Sequence, residues 1–175
     1  MPTIRPLTAS DCLNDLTALL HASYASLAAQ GWNFTAVDQS VEVTRDRLAG
    51  AQGFVAELDG HLVGTVAVRG PKPPGEAYIA DPPPPLYTTP GTAILSQLAV
   101  HPDCRGQGVG ERLIDAAEAW AAAQGFAQIA LDTAEPAVAL RRRYERRGYV
   151  TVGGVQWQGK TYASVLMSKP LNGTT

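Results

Sequence analysis

From His101 to Leu113 the chain reads HPDCRGQGVGERL, which sets Gly106, Gly108 and Gly110 at alternate positions behind Arg105. Glycine loses more backbone freedom on folding than any other residue, so a cluster of three needs a reason. The cluster leads into a helical repeat of Val109, Leu113, Ala117 and Trp120. A helix start exposes unpaired N–H groups and a partial positive charge, which suits a phosphate. Glycines ahead of it let the backbone meet the anion with no side chain between. Two familiar phosphate loops do not fit. A Walker loop ends in Gly-Lys-Ser/Thr, whereas Glu111 follows Gly110. A dinucleotide turn needs GxGxxG directly after its strand, whereas here the spacing is GxGxG and HPDC intervenes. A glycine-rich turn that binds nothing is the remaining bland alternative.

The elements around the loop alternate in type. TIRPL (3–7) is a short strand, and Thr8 to Asp11 resembles a capping box ahead of a helix that runs to about Ala29. A second helix spans Asp38 to Ala49 and stops at Gly50. Residues 54–70 read as two strands around an Asp59-Gly60 turn. From Gly70 to Gly91 the chain is proline-rich, with Pro82 to Pro85 in one run, and reads as a long exposed loop. Residues 92–100 form a strand, the Val109 helix ends near Gly125, and 127–132 form another strand. Pro136 fits the first turn of a helix reaching about Arg147. Residues 149–157 and 160–168 then pair as a hairpin across Gln158-Gly159. The order β-α-α-β-β-β-α-β-α-β-β implies one α/β domain over residues 1–175, built on a mixed sheet.

Composition narrows the function class. The chain has 175 residues, 45% hydrophobic and 17% charged, as a globular protein does. A formal net charge of -2 provides no basic footprint for nucleic acid or an anionic membrane. Cys12 and Cys104, the only cysteines, stand in no zinc-like spacing, so no metal is expected. The N-terminus lacks a secretory pattern and no run is long enough to span a bilayer, which points to the cytoplasm.

The stretch LAVHPDCRGQGVGERLIDAAEAWAAAQG resembles the acetyl-CoA-binding motif of the GNAT superfamily of N-acetyltransferases, and RRRYERRGYV resembles that family's later helix-to-strand segment. Motif similarity covers about Ile94 to Val150, while the element order agrees over nearly the whole chain. The resemblance implies a mixed sheet of six to seven strands with about four helices, splayed where the cofactor arm enters. It implies that the backbone of Leu98, Ala99 and Val100 binds the pantetheine arm of acetyl-CoA. The N–H groups of Arg105, Gly106, Gln107, Gly108, Val109 and Gly110 would wrap its diphosphate. His101 has a structural role at this turn.

The chemistry that the resemblance implies needs few groups. A protonated amine must lose a proton before attacking the thioester, the resulting oxyanion needs a donor such as an N–H of the Leu98–Val100 strand, and the departing thiolate takes a proton. Tyr144 matches the tyrosine that serves as general acid in the family; it also lies on a helix face with Ala137 and Leu140, as a core residue would. Asp132 matches a position where some members carry a base, and it could equally cap the following helix with Thr133. The family commonly has an asparagine seven residues before the tyrosine; here that residue is Ala137. The arginines at 141, 142, 143, 146 and 147 read as a solvated helix face, with a cofactor 3'-phosphate as a second use.

Trp32, Phe34 and Tyr87 are candidates for the acceptor pocket, with core packing as the alternative. The acceptor itself is open. A small-molecule amine is favoured because a long 70–91 loop would crowd a peptide groove. The alternatives are a protein N-terminus or lysine as acceptor, or a non-catalytic acyl-CoA-binding module. A homodimer is compatible with all three.

Overall fold

The computed structural model describes residues 1–72 and 81–171, whose strands form one seven-stranded sheet. They are β1 (Thr3–Pro6), β2 (Gln52–Leu58), β3 (His61–Arg69), β4 (Thr92–Val100), β5 (Gln128–Ala134), β6 (Val150–Val155) and β7 (Ser164–Pro170). The spatial order is β1-β2-β3-β4-β5-β7-β6, with β4 and β5 parallel and every other neighbouring pair antiparallel. The helices among the described residues are α1 (Leu13–Ala28), α2 (Val41–Leu48), α3 (Pro85–Thr88), α4 (Val109–Ala123) and α5 (Val138–Arg146). Among these residues no helix is long and apolar enough to cross a membrane.

Alternation along the strands sorts the layers. Ile129 and Leu131 of β5 pack with Leu113, Ile114 and Ala117 of α4, while Ala130 turns to the opposite face with Ile94 and Tyr87. The α4 stripe of Leu113, Ile114, Ala117 and Ala121 is fully buried, and each large side chain in it contributes about 1.5–3 kcal/mol. Gly64 of β3 lets α4 come this close, because a Cβ there would lie 2.9 Å from Leu113 Cδ1. Leu16 and Leu19 of α1 cover Val55 on the other face.

The feature that makes room for a ligand is a fork. β4 pairs with β5 only at Thr92↔Gln128, Ala93↔Ile129 and Ile94↔Ala130, although both strands continue. The β3–β4 register shifts between Thr65 and Ala67, opposite Gln97, whose φ is +56°. A bulge inserts an extra residue and bends its strand, so β4 turns away from β5 beyond Ile94.

Several sequence expectations need correction. Thr8 to Asp11 do not cap α1; they form a turn in which Thr8 N–H donates to Asp11 Oδ2 at 2.8 Å, and the N-cap is Cys12. The carboxylate of Asp11 is held instead by Arg5 at 2.8 Å. The second helix starts only at Val41, where Ser40 Oγ accepts Val43 N–H. Pro136 precedes α5 rather than opening it. Pro85 does begin a helix, because the first helical residue needs no N–H. The stretch 70–91 is not simply an exposed loop: Lys72 N–H donates to the Tyr87 carbonyl at 2.9 Å and Tyr87 is buried. Its residues 73–80 lie outside the described residues. The last hairpin has no two-residue turn. β6 and β7 are joined by Gln156–Ala163, eight residues that reach over the fork.

Candidate active site

The fork opens into a cavity of about 770 Å³, within the usual size for a small-ligand site. One wall is β4. Thr65 pairs with Ala99 and His101 N–H donates to Val63, so ladder alternation turns the polar groups of Val100 away from β3 and into the fork. Helix α1 reaches two of these backbone groups. Tyr24 donates its hydroxyl to the Leu98 carbonyl at 2.8 Å, and Val100 N–H donates to Ser23 Oγ at 3.2 Å. Both residues were expected to present backbone to a cofactor arm, and both are already engaged from α1. The Val100 N–H therefore reaches another acceptor only if the serine hydroxyl gives it up.

The glycine loop follows β4, and its Arg105 lines the cavity. Gly106 and Gly108 have φ of +77° and +78°, so the backbone itself demands glycine there, whatever binds. Gly110 is helical, and a Cβ on it would meet the Arg143 guanidinium at 3.4 Å in ordinary contact. Helix α4 has no capping side chain at Gly108 and its first intrahelical bond is Arg112 N–H to the Gly108 carbonyl. The N–H groups of Val109, Gly110 and Glu111 are thus without helical partners. Gln107 is exposed between the two left-handed glycines. Arg105 donates from Nη2 to the Ser23 carbonyl at 2.6 Å, which ties the loop to α1. His101 is structural, with Nδ1 accepting Asp103 N–H at 3.1 Å.

The arginines of α5 do not form a uniform solvated face. Arg147 is paired with Glu111, Asp115 and Glu118, and its side chain is only 14% exposed. Arg143 bonds Glu111 at 3.4 Å and, with Arg146, lines the cavity beside the start of α4. Arg141 donates to the Glu135 carbonyl and Arg142 is exposed.

Tyr144 sits between the core and the cavity. It is 7% exposed and packs edge-on against Tyr149 in the α4 core, yet it also lines the cavity. Among the described residues its hydroxyl has no hydrogen-bond partner. Burial pushes its pKa well above the ordinary phenol value, helped by the neighbouring Tyr24. The same burial lifts Tyr24 to about 12. Both phenols keep their protons at neutral pH.

Asp132 caps nothing, because β5 continues through it to Ala134. It sits two residues beyond the last β4–β5 pair, in the crotch of the fork. The Tyr87 hydroxyl donates to Oδ1 and Trp157 Nε1 donates to Oδ2 at 2.9 Å, so both carboxylate oxygens are oriented. Ala137, the residue expected to lack an asparagine contact, is the buried N-cap of α5 beside Tyr162.

The connection between β6 and β7 covers part of the cavity through Trp157, Gln158, Lys160 and Tyr162. Asn33, following α1, is latched to the Gln156–Ala163 connection: Nδ2 donates to the Gly159 carbonyl at 2.9 Å, and Oδ1 accepts Thr161 N–H at 2.8 Å. Lys160 Nζ donates to the Asn33 carbonyl at 2.8 Å. Phe34 stacks on Tyr162 with centroids 4.9 Å apart, and both line the cavity, whereas Trp32 packs behind them. Ser23, Arg47, Gln97, Trp157, Lys160 and Tyr162 have no sequence signal as site residues. The one available hint was the aromatic and glycine content of VGGVQWQGKTY, which was read as hairpin alone.

The model of the acetyltransferase (GNAT) family matches residues 15–149. Among solved structures, the ribosomal-protein-S18-alanine N-acetyltransferase of Escherichia coli has a TM-score of 0.73 at 16% identity, covering 100% of this chain and 97% of its own. The GCN5-related N-acetyltransferase of Rhodopseudomonas palustris has a TM-score of 0.69 at 27% identity, covering 97% and 96%. The paia N-acetyltransferase of Thermoplasma acidophilum, in complex with coenzyme A, has a TM-score of 0.70 at 15% identity, covering 97% and 99%. Comparison with the curated proteins returned no match.

Proposed function

The chain belongs to the acetyltransferase (GNAT) family, and on that premise we propose that it moves the acetyl group of acetyl-CoA to the primary amine of a small molecule. The observation that carries this reading is that a carboxylate and an unengaged phenol, Asp132 and Tyr144, line the cavity opened by the β4–β5 fork.

The residues present suit acetyl-CoA. The unpartnered N–H groups at the start of α4 and the cations of Arg143 and Arg146 supply donors and positive charge for its phosphates. The fork leaves room for an extended arm along β4. Bound there, acetyl-CoA supplies an activated thioester. The chain does the rest. Asp132 receives the proton of the acceptor ammonium, directly or through water, with Tyr87 and Trp157 holding the carboxylate in orientation. Tyr144, kept protonated by burial, holds its proton for the leaving sulfur.

The roof favours a small acceptor. A peptide chain needs an open trough, and here the latch from Asn33 to Gly159 and Thr161 bridges the cavity. The E. coli relative is named for a protein substrate, so the fold alone does not choose between acceptors. A screen of amines and peptides for thiol release from acetyl-CoA tests the reading. Release with small amines and none with peptides is expected. Turnover of peptides alone would reassign the acceptor, and binding of acetyl-CoA without turnover of any acceptor would leave an acyl-CoA-binding module.

A further inference from the structure

The acceptor half of the cavity holds two cations whose side-chain hydrogen bonds go to neutral groups. Arg47 comes from α2 and Lys160 from the Gln156–Ala163 connection, and both line the cavity. Among the described residues neither forms an ion pair. Arg47 Nη1 donates to Gln39 Oε1 at 2.8 Å and Lys160 Nζ to a backbone carbonyl, both neutral acceptors. Asp38 and Asp132 stabilise the Lys160 charge from a distance, yet among the described residues neither forms an ion pair with it, so both cations can still take a direct anionic partner. Burial, and next the nearby Arg47 guanidinium, hold the Lys160 ammonium below the ordinary lysine range.

A second observation points the same way. Gln97, at the bulge of β4, is 7% exposed and lines the cavity, and its Nε2 has no hydrogen-bond partner. Its Oε1 is held by Gln39 Nε2 at 3.1 Å, which fixes the amide with its donor end unspent. Arg47 Nε is likewise buried and unpartnered. Buried donors are normally satisfied, so two orphans in one wall mark a missing acceptor. The two carboxylates that line the cavity accept from neutral donors and form no ion pair with either cation among the described residues: Asp132 from Tyr87 and Trp157, and Asp81 from Gln158 N–H at 2.5 Å.

We infer that the acceptor is a small amino carboxylate, with its carboxylate held by Arg47 and Lys160 and its amine directed to Asp132. The inference rests on the acetyltransferase reading above. A planar guanidinium matches a carboxylate with two parallel hydrogen bonds, and the 770 Å³ shared with the thioester end limits the acceptor to a small molecule.

The test measures kcat/KM by thiol release for matched sets: L-amino acids, their amides, the corresponding amines without the carboxyl group, and aminoalkyl phosphates. Free amino acids are expected to exceed their amides by about tenfold or more. Arg47→Gln and Lys160→Gln are expected to lower kcat/KM for the acids by about ten- to a hundredfold and bring the acid-to-amide ratio toward one. Circular dichroism and thermal melting confirm that each variant is folded. Amides or simple amines used as well as the acids would overturn the inference alone. So would a preference for the phosphates, or an acid-to-amide ratio that neither substitution moves. No thiol release in any arm would overturn the small-molecule acceptor reading along with it.

Discussion

Replacing Gly108 with alanine isolates the backbone's part in the glycine loop. The residue has φ +78° and ψ 9°, and a Cβ built on it meets nothing within 4 Å. The cost is therefore conformational and not steric. An L-residue in the left-handed region costs about 1–2 kcal/mol. In a chain of this size each kcal/mol lowers Tm by roughly 2–4 °C, so a fall of about 2–8 °C is expected. The loop can relieve the strain by rotating a peptide, which turns an N–H away from the bound diphosphate. Losing one charge-assisted bond of about 1.5–3 kcal/mol weakens coenzyme A about ten- to a hundredfold. Gly110→Ala is the control: that residue is helical, so a gain of about 1 kcal/mol is expected. Thermal melting and titration calorimetry with coenzyme A read both quantities. An unchanged Tm for Gly108→Ala would refute the left-handed turn. A lowered Tm with unchanged affinity would remove the diphosphate from this loop.

Four further outcomes are expected. Tyr144→Phe removes a hydroxyl that has no protein partner, so stability should hold while kcat falls about 10²–10⁴-fold; undiminished turnover would return Tyr144 to a packing role. Asp132→Ala leaves the indole N–H of the buried Trp157 without its acceptor, so a stability loss of about 1–3 kcal/mol should accompany the loss of activity, read by denaturant melts beside steady-state kinetics. Asn33→Ala cuts the latch to Gly159 and Thr161; acceptor KM should rise and selectivity broaden with coenzyme A affinity unchanged, and unaltered acceptor kinetics would show that the roof does not contact the acceptor. Arg5 holds the Asp11 carboxyl at about 2, below the ordinary carboxylate range, mainly by hydrogen bonding. The stabilisation is then present above about pH 4 and lost as pH falls toward 2, and Asp11→Asn should flatten that part of the stability profile in acid melts.

The sequence carried whatever depends on neighbouring residues. Period 3.6 marked α1 and α4, Asp59-Gly60 marked the β2–β3 turn, where both residues have positive φ, and the glycines at 106, 108 and 110 marked the start of α4. These signals are legible because backbone sterics and side-chain periodicity act within a few residues. The family motif extended that reach to Tyr144 and Asp132 as candidates, but their surroundings were not local. Asp132 is oriented by Tyr87 and Trp157, 45 and 25 residues away, and Asn33 is latched to residues 126–128 positions further on. Tyr24 and Ser23 reach β4 across more than 70 residues. Nothing in VGGVQWQGKTY distinguishes a tight hairpin from an eight-residue roof, since either satisfies the strand pattern on both sides. Only the tertiary structure decided that Arg47, Gln97 and Lys160 share one cavity, because this depends on how far the bulge bends β4 and on which helix face packs against it.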